Sequence, residues 1–182
     1  MRIPPPPYDC YFSRDRRYRY SLRRIWGNGD NLLTAIMLNP SKANETKLDP
    51  TVTRVVKRAL HAQYDGVTIL NLFALISTYP KMLYDDDEPV GPRNDETIVA
   101  TLKRSSQVLV AWGPNGKFRG REQTVLDLCR ASGADVRCLG LTAEKFPRHP
   151  LHVAYEMPFE RYQGRFAKNQ KPVNLCPRPY EG

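Results

Sequence analysis

Four short strand-like segments, the first a continuous apolar run, separated by segments of a different periodicity, constrain this chain more than any other feature. Leu32 to Leu38 is apolar except for Thr34, and Pro40 stops it, which predicts a strand buried on both faces. Val67 to Phe73, Gln107 to Trp112 and Asp135 to Leu139 predict three more. After the first run, Val52, Val55, Val56, Ala59 and Leu60 recur at helical spacing, with Arg54, Lys57, Arg58 and His61 outside that stripe. Asp49-Pro50-Thr51 opens this helix, with Thr51 as the expected N-cap, and Asp65-Gly66 ends the element. Asn94 is the expected cap of a second helix running to about Arg104, and Arg121 to Ala131 predicts a third. Strands alternating with helices imply an α/β fold: a three-layer α/β/α arrangement around a central, mostly parallel, four-stranded core sheet.

The 182 residues are expected to form a single domain over 1–182, with irregular proline-rich ends at about 1–9 and 172–182. No stretch approaches the roughly 20 apolar residues of a membrane span. Pro4 to Pro7 stand where a signal peptide has its apolar segment, so a cytoplasmic protein is expected. Cys10, Cys129, Cys138 and Cys176 form no C-x-x-C pair, which argues for reduced structural thiols rather than a metal or iron–sulfur site. The expectation is a monomer that needs no cofactor and no metal.

With 28 Lys and Arg against 19 Asp and Glu, the chain carries a net charge of +9. That charge suits a polyanionic partner, since released counterions drive basic surfaces onto phosphate backbones; a solubility charge is the plain alternative. Two segments are candidate DNA contacts. Tyr11 to Arg24 interleaves Arg16, Arg17 and Arg19 with aromatics that can stack on bases, or else is a strand with a solvated basic face. Lys117 and Arg119 follow Gly113-Pro-Asn-Gly116, a glycine-rich turn entering a helix. That turn lacks the Walker lysine and Ser/Thr pattern, which argues against nucleoside triphosphate binding.

In a parallel sheet, polar residues just past the carboxyl ends of the strands collect in one crevice. Here they come from Leu38-Asn39-Pro40-Ser41, Leu70-Asn71-Leu72-Phe73, Ala111-Trp112-Gly113 and Arg148-His149-Pro150-Leu151-His152. These four segments, in this order, resemble the motifs of the uracil-DNA glycosylase superfamily, seen through a bacterial and phage family of uncharacterised proteins whose likeness spans about Tyr18 to Phe159. Leu38-Asn39-Pro40-Ser41 is similar to the first motif, Gly-Gln-Asp-Pro-Tyr in one branch and Gly-Ile-Asn-Pro-Gly in the mismatch-specific branch. Ile69-Leu70-Asn71 is similar to the end of the base-recognition strand. Val110-Ala111-Trp112-Gly113 resembles the central strand end, and His149-Pro150-Leu151 a shortened His-Pro-Ser-Pro-Leu.

The resemblance implies a DNA glycosylase that removes a flipped-out pyrimidine and leaves an abasic site. Asn39 and His149 are then the catalytic residues: Asn39 positions and polarises the attacking water, and His149 donates to O2 of the departing base. Asn71, Ser41 and Phe73 bind the base, Asn71 reading its edge with a donor and an acceptor side by side. Leu151 and His152 join the DNA contacts. Ser41 stands where the fast uracil-removing branch has a tyrosine, which admits 5-substituted pyrimidines such as those of phage DNA and fits an antiviral role. Asn39 replaces the Asp of that branch, so slower turnover is expected. The rival readings are a hydrolase or transferase on free nucleosides or nucleotides, and a non-catalytic reader of modified bases. Charge alone generates one test: DNA affinity is expected to fall steeply with salt, with a log–log slope equivalent to several released counterions, as measured by a fluorescence titration.

Overall fold

The computed structural model describes residues 8–165, apart from residues 80 and 106. The expected proline-rich tail, most of the lead, and Cys176 lie outside the described residues. The chain folds as α/β, with a seven-stranded mixed sheet in the order β1-β2-β4-β3-β5-β6-β7. The strands are β1 (Asp9–Phe12), β2 (Arg19–Ile25), β3 (Leu32–Met37), β4 (Gly66–Asn71), β5 (Gln107–Val110), β6 (Asp135–Cys138) and β7 (Glu160–Arg161). Three ladders are parallel, β4 with β3, β3 with β5, and β5 with β6. Three are antiparallel, β1 with β2, β2 with β4, and β6 with β7. The sheet is therefore larger and more mixed than the mostly parallel, four-stranded one expected. The additional strands carry no continuous apolar run: β1 is Asp-Cys-Tyr-Phe, β2 carries three arginines, and β7 has two exposed residues. Edge strands and antiparallel strands with one wet face leave no buried-strand signature in sequence.

Helices cover both faces. The apolar stripe of α1 (Pro50–His61) packs with Leu33, Ala35, Met37, Val67, Ile69, Leu109 and Ala111. On the other face, α3 (Asn94–Leu102) and α4 (Arg121–Ala131) bury Ile98, Leu102, Val125 and Leu126 against Ile36, Leu70, Val108 and Val110. Alternate residues of each central strand thus feed opposite cores, as a pleat requires. A short helix, α2 (Lys81–Asp85), breaks the long loop after β4 and buries Leu83.

The helix starts differ from expectation. Asp49, rather than Thr51, caps α1: its Oδ1 accepts from the Val52 amide at 2.8 Å, and Pro50 takes the first turn, where its missing amide hydrogen costs nothing. Asn94 does not cap α3. Its side chain is fully buried and Nδ2 donates to the Asn71 and Leu72 carbonyls at 3.1 and 3.0 Å, so the helix starts without a side-chain cap.

Connection directions fix where a crevice opens. From β3 the chain crosses through α1 to β4 on one side; β5 then lies on the other side of β3, and β6 beyond it. Adjacent connections from β3 and β5 leave on opposite faces, so the carboxyl ends of these strands have no loop crossing between them. Trp112, just past β5, is closely backed by Gly116 in the 3-10 segment Pro114–Gly120: a Cβ there would stand 2.2 Å from Trp112 Cδ1. Gly116→Ala is expected to destabilise the fold by about 1–3 kcal/mol through overpacking, read from denaturant titration of both proteins.

Candidate functional site

The crevice is built from segments that continue the sheet's hydrogen bonding past its strands. Leu72 and Phe73 donate from their amides to the Met37 and Leu38 carbonyls at 2.9 and 3.0 Å, and Ser77 to Pro40 at 2.9 Å. The segment after β3 is thereby zipped to the segment after β4. Asn39 is half-buried here, and its Nδ2 donates to the Pro40 and Ser77 carbonyls at 2.9 and 2.8 Å. With both amide hydrogens engaged, its orientation is set and Oδ1 is left as an acceptor. Ser41, half-buried, follows on the same segment.

Asn71 ends β4. It is wholly buried, and neither Nδ2 nor Oδ1 has a hydrogen-bond partner among the described residues. Val67 and Ile69 belong to the α1-side core, so strand alternation puts the Asn71 side chain on that side. An amide buried without partners costs about 1–3 kcal/mol on mutational scales. The backbone beneath it is held firmly: Asn94 binds the Asn71 and Leu72 carbonyls, and Arg121 Nε donates to Leu72 at 3.1 Å while its guanidinium pairs with Asp95 at 2.6 Å. Asn94 and Arg121 were not legible as site-building residues, because their partners are backbone carbonyls distant in sequence.

His149 reaches the crevice from the loop after β6. The Gly113 amide donates to the Pro147 carbonyl at 2.9 Å, and a Cβ on Gly113 would stand 4.0 Å from the His149 Cβ. Gly113 has φ of +71°, which favours glycine at this approach. His149 Nδ1 accepts from the Leu151 amide at 3.4 Å, a long contact that places the ring proton on Nε2. Burial, with His152 as a second cause, pushes the His149 pKa down, against a smaller pull upward from Asp49. The ring is therefore held neutral, with Nε2–H as a donor. The chain beyond it is anchored to α1, where Arg58 donates to the Val153 and Tyr155 carbonyls at 2.9 and 3.0 Å and Arg54 to Val153 at 2.8 Å.

Several expected contacts are placed otherwise. Arg19 is 1% exposed, and its guanidinium donates to the Ala43 carbonyl, so it is not a surface contact for a phosphate backbone. Arg16 and Arg17 are exposed but form ion pairs with Glu45 at 3.0 Å and Asp86 at 2.8 Å. Arg119 donates to the Asp87 and Asp86 carbonyls at 2.7 and 2.9 Å. Lys117, Leu151 and His152 are exposed. Phe73 is wholly buried beside Phe118, with ring centroids 5.6 Å apart, and Phe118 in turn meets Tyr84 edge-on at 4.6 Å. Its ring is enclosed rather than presented for stacking.

Among the described residues no group of three or more His, Cys, Asp or Glu is placed to hold a metal ion, and no helix is long and apolar enough to cross a membrane. Burial raises the thiol pKa of Cys10 to about 11 and of Cys129 to about 12. A cavity of about 490 Å³, lined in part by Arg23, Thr34, Thr68, Thr101 and Arg104, lies on the α3 side, apart from the crevice.

Residues 19–151, about three quarters of the chain, match the family described as a protein of unknown function, DUF1643. No curated protein and no solved structure matches the chain. The His149 environment generates a pH test. Because its pKa is lower in the folded state, the unfolded chain binds the proton more tightly. The associated stability is present above the unfolded value of 6.5 and is lost as pH falls through the folded value. His149→Gln is expected to flatten the pH dependence of stability in that acidic window, as followed by thermal denaturation.

Proposed function

The chain belongs to the DUF1643 family, and from that premise we propose that it is a DNA glycosylase of uracil-DNA glycosylase-like type, hydrolysing the N-glycosidic bond of a flipped-out pyrimidine. The observation that carries the reading is Asn71: a wholly buried amide with donor and acceptor both unpartnered among the described residues, at the end of a central strand. Such a group gains its hydrogen bonds only from a ligand or water, and a donor beside an acceptor matches the edge of a pyrimidine.

Asn39 and His149 supply the chemistry around it. The Asn39 Oδ1, oriented by the two bonds from Nδ2, accepts from a water and aims it at the anomeric carbon. His149, neutral and protonated at Nε2, donates to the oxygen on which negative charge develops as the base departs. A neutral donor binds the charge without first surrendering a proton to solvent. No carboxylate occupies the Asn39 position, so the water is activated by orientation rather than by a general base. Ser41 leaves the neighbouring volume less filled than a tyrosine does, which favours 5-substituted pyrimidines.

The pairing of Arg16 and Arg17 and the burial of Arg19 reduce the basic surface available to a DNA backbone, and this favours a second reading, hydrolysis of free nucleosides in the same crevice. Mass spectrometry of bases released from unmodified and modified phage DNA, run beside free nucleosides, separates the two. Release from DNA is expected, with Asn39→Ala and His149→Ala each lowering its single-turnover rate by about a hundredfold or more at little change in melting temperature. Release from nucleosides alone transfers the assignment to the second reading, and full activity in His149→Ala removes that residue from the mechanism.

A further inference from the structure

Arg19 is the least expected side chain in the molecule. It is a guanidinium at 1% exposure with no ion pair among the described residues. Among the described residues its guanidinium donates to the Ala43 carbonyl, and its Nε is buried without a partner. A buried cation is ordinarily matched by a carboxylate, because desolvating it uncompensated costs several kcal/mol, on the order of the penalty per ion in real proteins. The carboxylate whose charge acts on it is that of Asp49, whose Oδ1 is engaged as the cap of α1. Burial accordingly lowers the Arg19 pKa, with Cys10 and Asp49 opposing.

Its placement suits a ligand. The Arg19 amide donates to the Ala74 carbonyl at 2.9 Å, so the residue lies beside the chain just past the end of β4 that carries Asn71. Ala43, which its guanidinium reaches, belongs to the α1-side core, the side to which strand alternation assigns Asn71. The same side therefore holds a buried amide with two unpartnered atoms and a buried cation with an unpartnered donor.

We propose that Arg19 is a ligand-binding residue of the Asn71 site, receiving an anionic oxygen of the bound group. Resting on the glycosylase reading, that oxygen belongs to the departing base. The bond from the anomeric carbon to the ring nitrogen breaks with its electron pair leaving on the base. The water oxygen bonds to the anomeric carbon and its proton passes to solvent. The negative charge delocalises onto the exocyclic oxygens, where a fixed, poorly solvated guanidinium binds it more strongly than in the neutral ground state.

The test uses free bases, so it needs neither DNA nor turnover. The probes are uracil and 6-azauracil, nearly equal in shape; at mildly alkaline pH the second is ionised and the first neutral. Calorimetry on the intact protein is expected to show 6-azauracil binding at least about tenfold tighter, equivalent to 1.4 kcal/mol. Arg19→Met is expected to abolish that preference while leaving the melting temperature equal or higher, since an apolar isostere removes a buried unpaired charge. Preference retained in folded Arg19→Met, or absent in the unaltered protein, overturns the proposal. Should the variant fail to fold, the Arg19 Nε resonance of the unaltered, nitrogen-15-labelled protein decides: a shift with 6-azauracil supports the assignment, and no shift overturns it. Preference without base release from any DNA retains Arg19 as an anion site and removes the glycosylase reading. Base release without preference does the reverse.

Discussion

The reversal of connection direction around β3 is the constraint on which the remaining architecture depends. With β4 on one side of β3 and β5 on the other, the helices that follow β3 and β5 cover opposite faces of the sheet. At the carboxyl ends of these strands lie Asn39 after β3, Asn71 at the end of β4 and Gly113 after β5, the last of these approached by His149 from the loop after β6. The crevice follows from topology, and the side chains in it follow from where apolar runs stop.

A buried crevice floor requires its backbone groups to be satisfied while its side chains stay available. The carbonyls of Asn71 and Leu72 are taken by Asn94 and Arg121, so the end of β4 is rigid without using the Asn71 amide. Asn39 is held by two backbone carbonyls in the same manner, with its oxygen left over. Among the described residues, buried polar atoms without a partner occur at Asn71 and Arg19, and also at Asn94 Oδ1, Trp112 Nε1, Arg58 Nε and Glu122 Oε2. Asn71 differs from the others in that both polar atoms of its side chain lack a partner.

The basic character of the chain is distributed less freely than its +9 charge suggests. The acidic segment after α2 draws in Arg17 through Asp86, and Arg119 through the Asp86 and Asp87 carbonyls. Glu45 holds Arg16. Arginines of the N-terminal segment and of the loop after β5 thus brace the loops around the crevice. Net charge measures how many cations a chain has, not how many of them face an incoming polyanion.

Legibility from sequence tracked the range over which each signal acts. Apolar runs marked β3, β4 and β5, and helical periodicity marked α1, because burial on both faces or on one stripe is written in neighbouring residues. Asn39 and Asn71 were legible as polar residues at which buried strands stop, and His149 only through the resemblance of its segment to a glycosylase motif. The segment of β1 and β2 was read as either a basic, aromatic nucleic-acid contact or a strand with a solvated basic face, and its pairing as a hairpin was not marked, since its strands carry no apolar run. Tertiary structure alone decided that Arg19 turns inward while Arg16 and Arg17 turn to carboxylates, that Asn94 serves β4 instead of capping α3, and that Asp49 influences both Arg19 and His149. The physical reason is common to all of them: a polar side chain takes its role from the partner it meets, and these partners are brought within hydrogen-bond or electrostatic range only when distant segments of the chain pack together.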